Sequence, residues 1–198
     1  MKNLVFFFII ILISSFAKAQ FVQDTTLVYA TPAFLKDPMR SKWITKFIKN
    51  GKSWELQLFD KKQVLREKIT FEDKALEVRK GPYAFYENGF VKEEGDYDKG
   101  HKNGLWKKYD DKAKISEKLS YHYGKLTGDY QKFWLNGNLK LTGKYSNDKK
   151  LGLWEYYYSD AKLALRENFD EEGKSIGHIY FDREGNEIKD KSIVPIIE

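Results

Sequence analysis

The chain has 198 residues, no cysteine, and 35 Lys and Arg against 29 Asp and Glu, for a formal net charge of +6. Without cysteine there is no disulfide framework, no thiol nucleophile and no lipid anchor on an N-terminal cysteine. The charge is too mixed to argue for nucleic acid, whose recognition needs a concentrated basic surface.

In chain order, residues 1–19 come first. The stretch "MKNLVFFFIIILISSFAKAQ" sets a lysine ahead of an apolar run from Leu4 to Ile13 and ends in Ala17-Lys18-Ala19 before Gln20. That pattern predicts a secretory signal peptide cut before Gln20, and the run is shorter than the roughly 20 residues a spanning helix needs. The expectation is an exported chain, periplasmic or secreted, not a lipoprotein, with no transmembrane segment after cleavage. Residues 20–42, with Pro32 and Pro38, read as an irregular lead-in that caps the first strand.

A repeat domain is expected over 43–190, with a degenerate first module. "WITKFIKNGKSWELQLF" reads as a hairpin turning at Asn50-Gly51, and an insertion around "EDKALEVRKG" should bulge or loop. From Gly81 onward the spacing is regular. Tyr97, Tyr121, Tyr145 and Phe169 recur every 24 residues, and Gly81, Gly104, Gly128, Gly152 and Gly177 follow the same period within one residue. A third column is aliphatic: Leu65, Val91, Ile115, Leu139, Leu163 and Ile188. A fixed period of this length marks one supersecondary unit stacked on its neighbours.

The unit is a β-hairpin. In "GLWEYYY", Trp154, Tyr156 and Tyr158 share one face of a strand while Leu153, Glu155 and Tyr157 share the other. Aromatic content, repeated glycines and period-two alternation all oppose helix. Asn136-Gly137 and Asn88-Gly89 are expected to close tight hairpins, because both residues of an Asn-Gly turn accept positive φ. The matching "DDKA" and "SDAK" turns lack the glycine and should be longer. Residues 191–198 are a tail, frayed or forming a final edge strand. The fold class expected is all-β: an elongated, curved antiparallel sheet of successive hairpins.

The pattern of glycine, aromatics, Asn-Gly, apolar residue and "GK", as in "GDYQKFWLNGNLKLTGKY", resembles the variant MORN repeat of bacterial proteins often described as antitoxin-like. The resemblance covers roughly residues 51–190. It implies hairpins laid side by side in one sheet and a scaffold that different proteins use for different partners. Asp148 departs from it, standing where Gly100, Gly124 and Gly173 stand.

Candidate sites follow from the columns. Trp106, Tyr130 and Trp154 are expected in the core, since a single-layer sheet needs large side chains to bury enough apolar area. Tyr86, Tyr109, Phe133 and Tyr157 fall on the opposite face and are candidates for contact with a partner. His101, Lys125, Lys149 and Lys174 occupy equivalent turn positions, reinforced by Lys102 and Lys150, and would form a basic ladder for lipid phosphates, glycan or an acidic protein. Catalysis is not expected. The three histidines fall in different module positions, Glu93-Glu94 and Glu171-Glu172 point to opposite faces of a strand, and "DEEG" at 170–173 lacks the alternating oxygen ligands of a calcium loop. No metal and no cofactor are expected. Three readings remain: a non-catalytic scaffold for another envelope protein, a peripheral binder of anionic lipid or glycan, and, from the resemblance alone, a toxin-neutralising protein.

Overall fold

A computed structural model describes residues 44–189; the expected signal peptide, the lead-in and the tail at 191–198 lie outside them. Twelve strands follow in order. They are β1 (Ile44–Asn50), β2 (Ser53–Phe59), β3 (Leu65–Phe71), β4 (Arg79–Glu87), β5 (Phe90–Asp98), β6 (His101–Tyr109), β7 (Ile115–His122), β8 (Lys125–Phe133), β9 (Leu139–Ser146), β10 (Lys149–Tyr157), β11 (Leu163–Phe169) and β12 (Ser175–Tyr180). Among the described residues each pairs antiparallel with its sequence neighbours alone, so these strands form one open sheet built hairpin by hairpin. The all-β repeat architecture expected from the sequence is the one observed. Among the described residues no helix is long and apolar enough to cross a membrane.

Connections leaving odd-numbered strands lie on one edge of the sheet, called here the near edge, and those leaving even-numbered strands on the far edge. Six connections share one five-residue design: Asp60–Val64, Asp110–Lys114, Trp134–Asn138, Tyr158–Lys162 and Asp182–Asn186 on the far edge, and Asp170–Lys174 on the near edge. In each, the first N–H donates to the fifth carbonyl and the fourth N–H to the first carbonyl. The fourth residue takes positive φ, whether it is Gly137, Gly173, Gly185, Gln63, Ala113 or Ala161. This corrects the expectation of a tight turn at Asn136-Gly137. Gly137 fills the left-handed fourth place of the longer turn, and Asn136 Oδ1 accepts the Asn138 N–H at 3.0 Å. Asn88-Gly89 does close a two-residue hairpin, with both residues at positive φ. The insertion before β4 is a loop that buries Leu76.

The glycine column has a specific task. Between Ile69↔Tyr83 and Phe71↔Arg79, one residue of β3 faces three of β4, including Gly81. One residue also faces three in β6, β8 and β10; Gly128 is the middle residue of its bulge, as Gly81 is, whereas Gly104 and Gly152 are the first of theirs, with Trp106 and Trp154 the last. All four glycines have positive φ, between 64° and 108°, a backbone region costly to residues with a Cβ. Gly177 is absent from the left-handed set, and β12 has no such bulge.

The bulges bring the aromatic columns together on one face. Trp106 and Trp154 are 0% and 1% exposed, the centres of two matching clusters. Trp106 meets Tyr83, Tyr97 and Tyr121 at ring centroid distances of 5.4, 5.2 and 6.1 Å; Trp154 meets Tyr130, Tyr145 and Phe169 at 5.7, 5.0 and 6.2 Å. Each indole N–H donates to a backbone carbonyl, that of Asp96 or Lys144. Each indole also lies on a glycine: a Cβ at Gly95 or Gly143 would stand 2.3 Å from the ring. The apolar core continues through Phe47, Leu56, Leu58, Ile69 and Phe71 toward the N-terminal strands. Glu67 is buried beside it, and its carboxylate, after burial itself, holds the Tyr83 hydroxyl well above the usual tyrosine range.

Candidate binding surface

The face opposite the tryptophans carries the aromatic column proposed for contact. Tyr109, Phe133 and Tyr157 end even strands, Tyr86 stands one residue before the end of β4, and each pairs with an aliphatic residue of the next strand: Val91 for Tyr86, then Ile115, Leu139 and Leu163. All four pairs sit where the register shifts by a residue. The two columns read separately in the sequence are therefore one set of closing pairs, an aromatic on an aliphatic at the far end of each hairpin.

These aromatics are half-buried and internally engaged. The Tyr109 hydroxyl donates to Glu94 at 2.6 Å, and Lys107 pairs with the same carboxylate at 3.3 Å. The Tyr157 hydroxyl donates to Glu155 at 2.8 Å, and Arg166 pairs with Glu155 at 3.0 Å. Lys118 lies over Phe133, 5.5 Å from the ring centroid. Burial first, and then the acceptor carboxylate, pushes both the Tyr109 and Tyr157 hydroxyls up to about 12. Such groups close hairpins and hold charges in place.

The near edge gathers the other candidates. The Gly100 N–H donates to the Arg79 carbonyl, the Gly124 N–H to Lys102, and the Asp148 N–H to Leu126, at 2.9, 2.8 and 2.9 Å. Successive turns are thus hydrogen-bonded into a stack. Asp148 replaces glycine there because its carboxylate accepts the Leu126 N–H at 2.8 Å while its backbone takes φ 68°. His101, Lys125, Lys149 and Lys174 are exposed on this edge, interleaved with Asp148, Glu171 and Glu172. Lys150 does not join them. Its ammonium sits over Trp154 and Phe169, 4.6 and 4.7 Å from their centroids, and donates to the Tyr156 hydroxyl at 2.8 Å. Lys102 likewise covers Trp106 at 3.9 Å and pairs with Glu93 at 2.7 Å. Burial holds the Lys150 ammonium below the usual lysine range. Both lysines are lids on the indoles, placed there by cation–π attraction.

Two leucines of the outer face are absent from the candidates drawn from the sequence, which places Leu153 on that face without assigning it a contact. Leu105 and Leu153 follow the bulge glycines Gly104 and Gly152 and are 51% and 54% exposed. Leu153 borders a shallow concavity of about 440 Å³ formed with Thr142, Gly143, Lys144, Leu151 and Glu155. Leu105 borders its smaller counterpart of about 220 Å³, formed with Pro82, Glu94, Gly95, Asp96 and Lys107. The signal that could have found them is the "GLW" shared by residues 104–106 and 152–154 and by no other module. Among the described residues, no three His, Cys, Asp or Glu side chains gather in a way that could hold a metal ion.

No protein-family model matches the chain, and no curated protein matches it. Among solved structures, part of the chain is similar to the crystal structure of a mutant of S. aureus TarM in complex with fondaparinux, alpha-GlcNAc-glycerol and UDP. The identity is 14% and the TM-score 0.36, over 54% of this chain and 21% of that one. The match thus spans about a fifth of the TarM chain.

Proposed function

We propose that the protein is an exported, non-catalytic repeat scaffold of the variant MORN type that binds another protein of the bacterial cell envelope through its outer face. One observation carries this reading. The sheet has a single layer whose aromatic face is closed by its own tryptophans, while its outer face keeps two half-exposed leucines at equivalent places. Exposed apolar side chains at repeated positions suit a protein partner, whose contacts are made by a few apolar anchors within a polar surround. Export rests on the Ala17-Lys18-Ala19 pattern ahead of Gln20. Fractionation of the native host tests both parts. The chain should begin at Gln20, leave the cytosol, and co-purify with one protein in a fixed ratio. Full-length chain from Met1 in the cytosol, or a chain with no such companion, contradicts the reading.

A second reading is supported by the stacked turns of the near edge, which hold His101, Lys125, Lys149 and Lys174 on one rim. They could meet an anionic lipid or glycan. Binding to anionic liposomes that weakens steeply with salt and disappears on changing Lys125, Lys149 and Lys174 to Glu would favour it over the first, because exposed charges are screened beyond about 10 Å at 0.1 M salt.

A further inference from the structure

The sequence holds four Asn-Gly pairs, at 50–51, 88–89, 103–104 and 136–137. Asparagine before glycine is prone to spontaneous loss of ammonia, because no side chain shields the glycine nitrogen from the asparagine carboxamide. The reaction needs a carboxamide without partners, a following N–H without an acceptor, and a backbone free to rotate until that nitrogen meets Cγ. The fold grants these unequally. At Asn136 all are denied: Nδ2 donates to the Ser159 carbonyl at 2.7 Å, Oδ1 accepts the Asn138 N–H at 3.0 Å, and the Gly137 N–H donates to the Trp134 carbonyl at 2.8 Å. Asn103 is half-buried inside β6 and paired with Asp96. Asn50 is exposed, but it closes the ladder of its hairpin opposite Ser53, whose Oγ donates to the Asn50 carbonyl at 3.0 Å.

We infer that Asn88 is a site of spontaneous covalent modification, converted by water to aspartate and isoaspartate while the other three Asn-Gly pairs are preserved by the fold. The ladder of hairpin β4–β5 ends at Glu87↔Phe90, so neither Asn88 nor Gly89 belongs to a strand pair. Both are exposed, at φ 50° and 83°, and a Cβ at Gly89 would meet nothing within 4 Å. The Asn88 carboxamide makes no hydrogen bond to the described residues, and the Gly89 N–H donates to no carbonyl among them. In the first step the Gly89 nitrogen attacks Asn88 Cγ. A C–N bond forms, the Cγ–Nδ2 bond breaks, and the proton of the Gly89 nitrogen leaves with Nδ2 as ammonia. Water then opens the cyclic imide at either carbonyl, giving aspartate or isoaspartate, with no oxidant or reductant involved. Either product adds a negative charge beside Glu87. The iso form also carries the main chain through Cβ, which lengthens a turn of only two residues. The next pair inward is Tyr86↔Val91, so the change falls at the first member of the outer aromatic column.

The test ages the full chain in mildly alkaline buffer, withdraws samples over time, labels isoaspartate with an isoaspartyl methyltransferase, and locates each product by digestion and mass spectrometry. Label should appear first in the peptide that holds residue 88. The peptide that holds residue 136 should gain it at least about tenfold more slowly, since Asn136 reacts only when its turn opens locally. Residues 50 and 103 should fall between. In urea the four rates should converge, because the fold and not the neighbouring sequence sets their order. Asn88→Gly keeps a residue that accepts positive φ, and it should remove most of the label gained by the folded chain without lowering the melting temperature. Equal early label at 88 and 136 overturns the inference, as does label on the folded chain that Asn88→Gly leaves unchanged. An order of rates that persists in urea overturns it too, because the fold would then play no part.

Discussion

Hairpin β9–β10 and its neighbour β7–β8 share a bulge, a glycine at positive φ and the same strand lengths within a residue, yet they differ at both ends of that bulge. On the inner side, β9–β10 has Trp154 lying on Gly143 under Lys150; β7–β8 has Tyr130 opposite Leu119, with Leu126 in the lysine's place. On the outer side, Leu153 answers to Asp129. The inner differences are coupled: a large indole requires a glycine beneath it, whereas a smaller tyrosine accepts a leucine. The outer difference goes with the register of the bulge, which takes in 152–154 in β10 and 127–129 in β8. What packing dictates must change together. Hairpin β5–β6 repeats the β9–β10 arrangement, with Trp106, Gly95, Lys102 and Leu105.

The largest way to break this comparison is to remove the indole. Trp154→Ala empties the centre of an aromatic cluster and should cost roughly 3–5 kcal/mol in denaturant unfolding. A variant that melts like wild type would contradict the inner half of the account. Gly143→Ala tests the coupling itself: a methyl group 2.3 Å from the indole must displace it, for about 1–3 kcal/mol. Combined with Trp154→Tyr, which copies β7–β8, the same alanine should be far less harmful; equal harm in both backgrounds would show that Gly143 serves something other than the indole. Gly152→Ala meets nothing within 4 Å, so only its φ of 64° is penalised, by about 1–2 kcal/mol.

A smaller effect is expected at high pH, and it distinguishes the same hairpins. Tyr109 and Tyr157 have hydroxyls raised to about 12 in the folded chain, while the corresponding residue of β8 is Phe133. A raised value means the folded state holds its proton longer than the unfolded state. The stability this contributes is complete below about pH 10, the unfolded tyrosine value, and is lost as pH rises through about 12. Changing Tyr109 and Tyr157 to Phe should flatten the decline measured between those limits. An unchanged slope would mean that the Glu94 and Glu155 contacts contribute little.

Much of the architecture is legible in the sequence because a 24-residue period in glycine, aromatic and aliphatic columns permits few arrangements other than stacked hairpins. The purpose of the columns is less visible. A recurrent glycine reads equally as a turn or a bulge, and only the pairing shows that Gly81, Gly104, Gly128 and Gly152 each sit inside a strand. Asn136-Gly137 suggests a tight turn, but the residues flanking it pair only from Phe133 and Leu139, which sets five residues between the strands. Lys150 looks like a turn lysine until Trp154 and Phe169 are found beneath it. The carboxylate acceptors of Tyr109 and Tyr157, Glu94 and Glu155, are likewise invisible in the sequence. Alternation does place Leu153 on the face opposite Trp154, but the sequence does not show that it and Leu105 stay half-exposed there.

The most direct measurement pairs stability with partner retention in one molecule. A chain carrying Leu105→Asp and Leu153→Asp, expressed in its native host, should unfold within about 0.5 kcal/mol of wild type, as exposed substitutions do, and should emerge from the envelope without the protein that accompanies wild type. A double variant that keeps that companion, or that unfolds on its own, would contradict the claim that the inner face makes the fold and the outer leucines make the contact.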